Sequence, residues 1–210
     1  MTEKQEESDL NKNNNSRFNY ELYAGVLFFS LAAQFITVIM LSAAIAPDYD
    51  FHGSAISDLG VIPSTAILFN ISLIIVGVLN ILGGYFYYHS HEDINLLILF
   101  VISGIGALGT GVFPLNISDL HTIFALIAFI FFNLQALFCS RRLSGPMKYI
   151  SLFLGFLGVI FVVIMAIGDF GFTAIFGAIG HGGSERMIVY PPILCLIVFG
   201  GFLMGQKTPD

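Results

Sequence analysis

The residues with acid–base or ligand chemistry fall in three short polar stretches. Asp48, Asp50, His52 and Asp58 form the first, Asp119 and His121 the second, and Asp169, His181, Glu185 and Arg186 flank the third. Neutral imidazole is the form that takes a proton or binds a metal. His121, His52 and His181, joined by the carboxylate of Asp58, would complete a tetrahedral zinc set. No His-x-x-x-His or His-Glu-x-x-His spacing supports that set. Without a metal, the catalytic candidates are His121 as base and Asp58 as its orienter. Arg186 is the single basic residue of these stretches, and a guanidinium suits a phosphate or carboxylate. Glu185 and Ser57 are its companions as substrate-binding candidates. The competing reading is a hydrogen-bonded network in which Arg186 pairs with Asp58, Asp119 or Glu185 and locks the loops.

A hydroxyl precedes an acid at Ser57-Asp58, Ser118-Asp119 and Ser184-Glu185. Helix N-termini favour such pairs, with Ser as cap and the acid against the positive dipole end. That accounts for Ser118-Asp119, which would put His121 in the first turn. It accounts less well for Ser57-Asp58, which Gly60 and Pro63 separate from the next apolar run.

The elements that hold these stretches are read from composition. Of 210 residues, 56% are hydrophobic and only 10% charged, whereas a soluble domain carries roughly 25% charged residues. A soluble enzyme and a disordered scaffold are excluded. The net charge of −6, with no cluster of Lys and Arg, excludes nucleic acid as a partner. Apolar runs of about 20 residues span a bilayer as helices, and six are present: Tyr23–Ala46, Ser64–Tyr88, Ile94–Phe113, Asp119–Phe138, Met147–Gly171 and Met187–Gly205. None alternates, so a β-barrel is rejected. The expectation is an all-α, polytopic bundle of six transmembrane helices in a lipid bilayer. Residues 1–22 form a disordered tail, 23–205 the membrane domain and 206–210 a short C-terminal tail.

Lys4, Lys12, Arg17, Arg141, Arg142, Lys148 and Lys207 fall on one side of this map and Arg186 alone on the other. Basic residues resist translocation, so both termini are expected in the cytoplasm of a cell-membrane protein. Loops 47–63, 114–118 and 172–186 then face outward. The run from Met147 to Gly180 is too long for one crossing, so Phe172–Gly180 is expected to leave the helix and act as a lid. Glycines in the third span, from Gly104 to Gly111, suit close helix packing. Gln34, Asn70, Asn80, Asn133 and Gln135 lie within spans and need partners there. Cys139 and Cys195, at different depths, are expected to be free thiols.

Ile56-Ser57-Asp58-Leu59-Gly60, Phe69-Asn70, Gly111-Val112-Phe113-Pro114 with His121, and Ser184-Glu185-Arg186 leading to Tyr190-Pro191 resemble the prokaryotic membrane family known as domain of unknown function 998. The likeness covers about residues 23–203. One departure is the absence of Trp, which that family often carries after the Tyr-Pro element. The resemblance implies a six-helix membrane protein with Asp58, His121, Glu185 and Arg186 as recurrent polar positions. It implies no activity.

Three readings follow. As a hydrolase of a lipid or small amphiphile, the protein would use His121 as base or zinc ligand and Arg186 for an anionic headgroup. As a transporter or binding protein, it would turn Gln34, Asn70 and Asn80 toward one cavity. As a structural or regulatory protein, it would close Asp58, His121 and Arg186 into a dry salt-bridged network with no cavity beneath.

Overall fold

The computed structural model describes the backbone of residues 3–117 and 119–206, and side chains from residue 20 onward. Six helices carry the chain: α1 Glu3–Ile45, α2 Ala66–His91, α3 Ile94–Val112, α4 Leu120–Cys139, α5 Gly145–Asp169 and α6 Gly180–Met204. All six are long and apolar enough to cross a membrane, and the described residues include no strand. Outward-facing Ile67, Tyr149, Phe153 and Met40 are each more than half exposed, as lipid-facing positions are.

Most helix ends fall within a few residues of the expected spans, and two boundaries differ. The backbone of α1 is helical from Glu3, where the sequence reading expects a disordered tail. Residues 3–22 contain no Gly or Pro, so nothing interrupts helical propagation from the span. The second difference matters more: α6 starts at Gly180 rather than Met187. Glu185 and Arg186 therefore stand inside a helix and not in a loop.

Each helix packs on its chain neighbours, α6 closes the ring onto α1, and α4 also touches α6. Glycine lets the backbones approach. A Cβ at Gly77 would meet the Gly104 carbonyl at 2.5 Å, and one at Gly25 would meet the Gly200 carbonyl at 2.8 Å. Gly201, by contrast, has nothing within 4 Å of a Cβ. Phe28 of α1 stacks on Phe100 of α3 at 4.5 Å and tilts onto Phe199 of α6 at 5.7 Å.

The in-span amides all find partners, as hydrocarbon requires. Asn80 Nδ2 donates to Ser103 Oγ at 2.9 Å and to Gln135 Oε1 at 3.1 Å, and Ser103 Oγ donates to Gln135 Oε1 at 2.7 Å. This fully buried triad ties α2, α3 and α4 together. Gln34 and Ser72 exchange hydrogen bonds between α1 and α2. Asn70 donates to the Gly60 carbonyl at 2.8 Å. Pro191 and Pro192 lie inside α6, and a proline there frees the carbonyl four residues earlier. Asn133 of α4 donates to the one that Pro192 frees, Ile188 O, at 3.0 Å. Cys139 and Cys195 are buried free thiols.

At the end of the bundle bearing residues 46–65, α5 stops at Asp169. The expected lid is a 3-10 segment, Thr173–Ile179, anchored by buried Phe176 against Gly168.

Candidate functional site

The site is built on the segment between α1 and α2, which would be loose if left to its own sequence. Asp50 turns its carboxylate back onto the N–H groups of His52 at 3.2 Å and Gly53 at 2.8 Å. Those two donors hold its pKa below the usual carboxylate range. Asp58 similarly accepts the Ala55 N–H at 2.8 Å. The first turns of α6 then clamp the segment from one side. Glu185, buried, accepts the Ile56 N–H. Arg186 Nη1 donates to the carbonyls of Phe51 at 3.1 Å, Ser54 at 3.1 Å and Gly182 at 2.7 Å. Its Nη2 donates to Tyr49 Oη at 2.7 Å. The Tyr49 hydroxyl donates in turn to the Ala55 carbonyl at 2.8 Å. Burial pushes this phenol up to about 12 against the pull of Arg186, so it stays a donor.

This approach needs glycine. A Cβ at Gly182 would collide with the Ser54 carbonyl, and Gly180 combines a φ of +69° with the ring and carbonyl of His52 against its Cα. Gly182 N–H donates to the His52 carbonyl at 2.9 Å. These contacts hold residues 180–186 in a helix although His-Gly-Gly-Ser is a poor helix former.

Arg186 is thus the loop lock that the sequence allows, but with other partners. No carboxylate lies within 4.0 Å of it among the described residues; Nη1 and Nη2 are taken by protein oxygens, while the buried Nε has no partner among the described residues. These contacts engage Arg186 with the protein itself, whereas the sequence reading set it against an anionic headgroup. With α6 begun at Gly180, Arg186 points into residues 49–54 and lines neither cavity described below.

His121 sits in the first turn of α4 and is 5% exposed. Its Nδ1 lies 2.9 Å from the carbonyl of Phe113, at the C-terminus of α3. A carbonyl only accepts, so Nδ1 carries the hydrogen and Nε2 presents its lone pair elsewhere. The expected Ser118 cap of this helix lies outside the described residues. Asp119 occupies the cap position without a side-chain bond.

Nε2 of His121 has no protein partner among the described residues, and His121 lines a cavity of about 280 Å³ whose polar residues share the wall with apolar ones such as Leu126, Phe129 and Val162. Ser57, Asp58, Asp169, His181 and Glu185 share its wall. His181 and Asp169, both in this wall, approach each other, Nε2 to Oδ1 at 3.3 Å, and the Phe176 ring meets that of His181 edge-on at 5.2 Å. Deeper in the bundle a second cavity of about 70 Å³ is lined by Phe35, Phe69, Leu73, Val76, Phe132 and Ile193 among others. Ser57, Ala125, Phe129, Glu185 and Ile188 belong to both walls. The polar chamber therefore adjoins an apolar one.

Six of the seven candidate residues are accounted for by this arrangement. Asp58, His121, His181, Glu185 and Ser57 line the polar chamber, and Arg186 fixes the segment that carries two of them. His52 is not in the wall. No group of three His, Cys, Asp or Glu residues gathers to hold a metal among the described residues, so the expected His52, His121, His181 and Asp58 zinc set is not formed. His52 is spent on packing against Gly180. Tyr49 joins the site without having been singled out, and Asp169, named among the acids of the third stretch, joins it without having been given a role. A charge at the very end of an apolar run was the available signal for Asp169, and Tyr49 carried none.

Gln34, Asn70 and Asn80, which a transport path would turn to one cavity, line neither chamber. A dry network with nothing beneath is equally absent among the described residues. Fold and site together define a polytopic helical membrane protein with a polar chamber joined to an apolar one. Residues 30–201 match the family described as Protein of unknown function (DUF998), and the chain belongs to that family. No curated protein and no solved structure matches it.

Proposed function

We propose that this membrane protein binds a lipid or small amphiphile, with the polar end among Asp58, His121 and Ser57 and the apolar part in the adjoining chamber. The supporting observation is the shared wall: a ligand crossing it meets carboxylates and imidazole on one side and Phe, Leu and Val on the other. The termini belong in the cytoplasm on this reading, because basic residues concentrate on their side, and the chamber then faces outward.

Hydrolysis is a second reading, favoured by one feature. With Nδ1 held by the Phe113 carbonyl, His121 Nε2 is aimed as a base at whatever occupies the chamber. It would take a proton from water as the oxygen attacks the bond beside the headgroup, and return that proton to the leaving group.

The test uses the full chain in nanodiscs. Native mass spectrometry is expected to find one amphiphile retained per chain, and Ala125→Phe, which fills the junction of the chambers, is expected to lose it without a lower melting temperature. A retained lipid profile matching the bulk membrane in both proteins would sink the binding proposal. If turnover of the retained species is seen, His121→Gln should slow it by roughly 10²–10⁴-fold.

A further inference from the structure

The character of the polar chamber narrows the ligand. Its wall includes three carboxylates, Asp58, Asp169 and Glu185, and no Lys or Arg. Asp58 and Asp169 carry its negative charge, Asp169 with the His181 ring 3.3 Å away. Arg186 carries the nearest cation, but its guanidinium is fixed to the Phe51, Ser54 and Gly182 carbonyls and is not in the wall. No acid of the wall lies within 4.0 Å of it. His121, nineteen-twentieths buried, adds an unpartnered Nε2 lone pair aimed into the same space. Glu185 and Asp58 each spend an oxygen on a backbone N–H, and Oδ1 of Asp58 keeps no partner among the described residues.

An anion entering here would meet acceptors and like charge. Its donors would be few, chiefly the hydroxyls of Ser57 and Thr122. A bare metal ion would find no triad of ligands among the described residues. A group with several N–H donors and a positive charge complements the wall on both counts. We infer that the polar end of the bound amphiphile is an amine or ammonium group, held by Asp58 and Asp169 with His121 Nε2 accepting one of its N–H bonds. The inference rests on the amphiphile reading above and adds the sign of the headgroup.

The experiment compares three probes that share one chain: dodecylamine, dodecyl phosphate and dodecyl glyceryl ether. Each is titrated at pH 7 against the full chain in phosphatidylcholine nanodiscs, with empty nanodiscs as the partition control. Dodecylamine is expected to bind saturably and about tenfold more tightly than either other probe, a preference equivalent to about 1.4 kcal/mol. Asp58→Asn and Asp169→Asn are each expected to erode that preference by weakening dodecylamine more than the glyceryl ether. In Asp58→Asn the side-chain amide oxygen would still accept the Ala55 N–H, and Asp169 is an exposed residue, so both variants should fold. Equal or tighter binding of the phosphate or the ether would overturn the headgroup inference and leave the amphiphile reading standing. Absence of saturable binding by all three would overturn both.

Discussion

Glu185 and Arg186 are neighbours of opposite charge, and neither is satisfied by the other. The acid takes backbone N–H from Ile56, and the guanidinium takes backbone C=O from residues 51 and 54, so together they hold both polarities of one segment. Removing the fork would take a donor from three carbonyls at once, each loss costing about 1–3 kcal/mol where the oxygen stays buried. Arg186→Leu is accordingly expected to lower the melting temperature sharply in detergent. Arg186→Lys should recover little, because one ammonium replaces neither the Nη1 and Nη2 spread nor the stacking of the guanidinium over Phe51 at 4.5 Å. A Lys variant that melts like the parent would refute this account. At this scale the sequence marked the lock but not its partners. Charged residues were sought as partners for a charge, whereas those used are main-chain carbonyls, which leave no trace in residue type.

At the scale of the element, α4, α5 and α6 meet at Asn133. Its Nδ2 serves the carbonyl that Pro192 leaves free, and its Oδ1 lies against Gly158 of α5, where a Cβ would overlap it. Oδ1 has no hydrogen-bond partner among the described residues. Gly158→Ala is expected to displace the amide and cost roughly 1–3 kcal/mol, as is Asn133→Ala. Combined, the two should cost less than their sum, since both break one interaction. Additive losses in paired melting curves would show the sites to be independent. Helix positions were legible here from apolar run length alone. The start of α6 was not, because the glycines that read as a loop are there to admit residues 51–54, and only the folded chain brings that segment alongside.

For the whole molecule, six crossings would put both ends of the membrane domain on one side, and the proposal that this side is cytoplasmic, drawn from the basic residues, can be tested by labelling. Single cysteines placed at position 3 and at Phe172 in a Cys139→Ser, Cys195→Ser background are expected to differ. An impermeant maleimide on intact cells should label the second and spare the first, and the reverse result would invert the map. The six-helix class was readable from composition, whereas the chambers were not, since a void is set by how helices pack rather than by what any one contains. One packing detail also bears on how the protein is made. Once α6 enters the bilayer, its Ile188 carbonyl has no donor on its own helix and none in lipid. The donor arrives from α4, a helix already synthesised by then. Biogenesis is thereby ordered: the sixth helix is accepted as a member of a waiting bundle, and a defect in α4 should surface as failed insertion downstream, where membrane quality control would meet it.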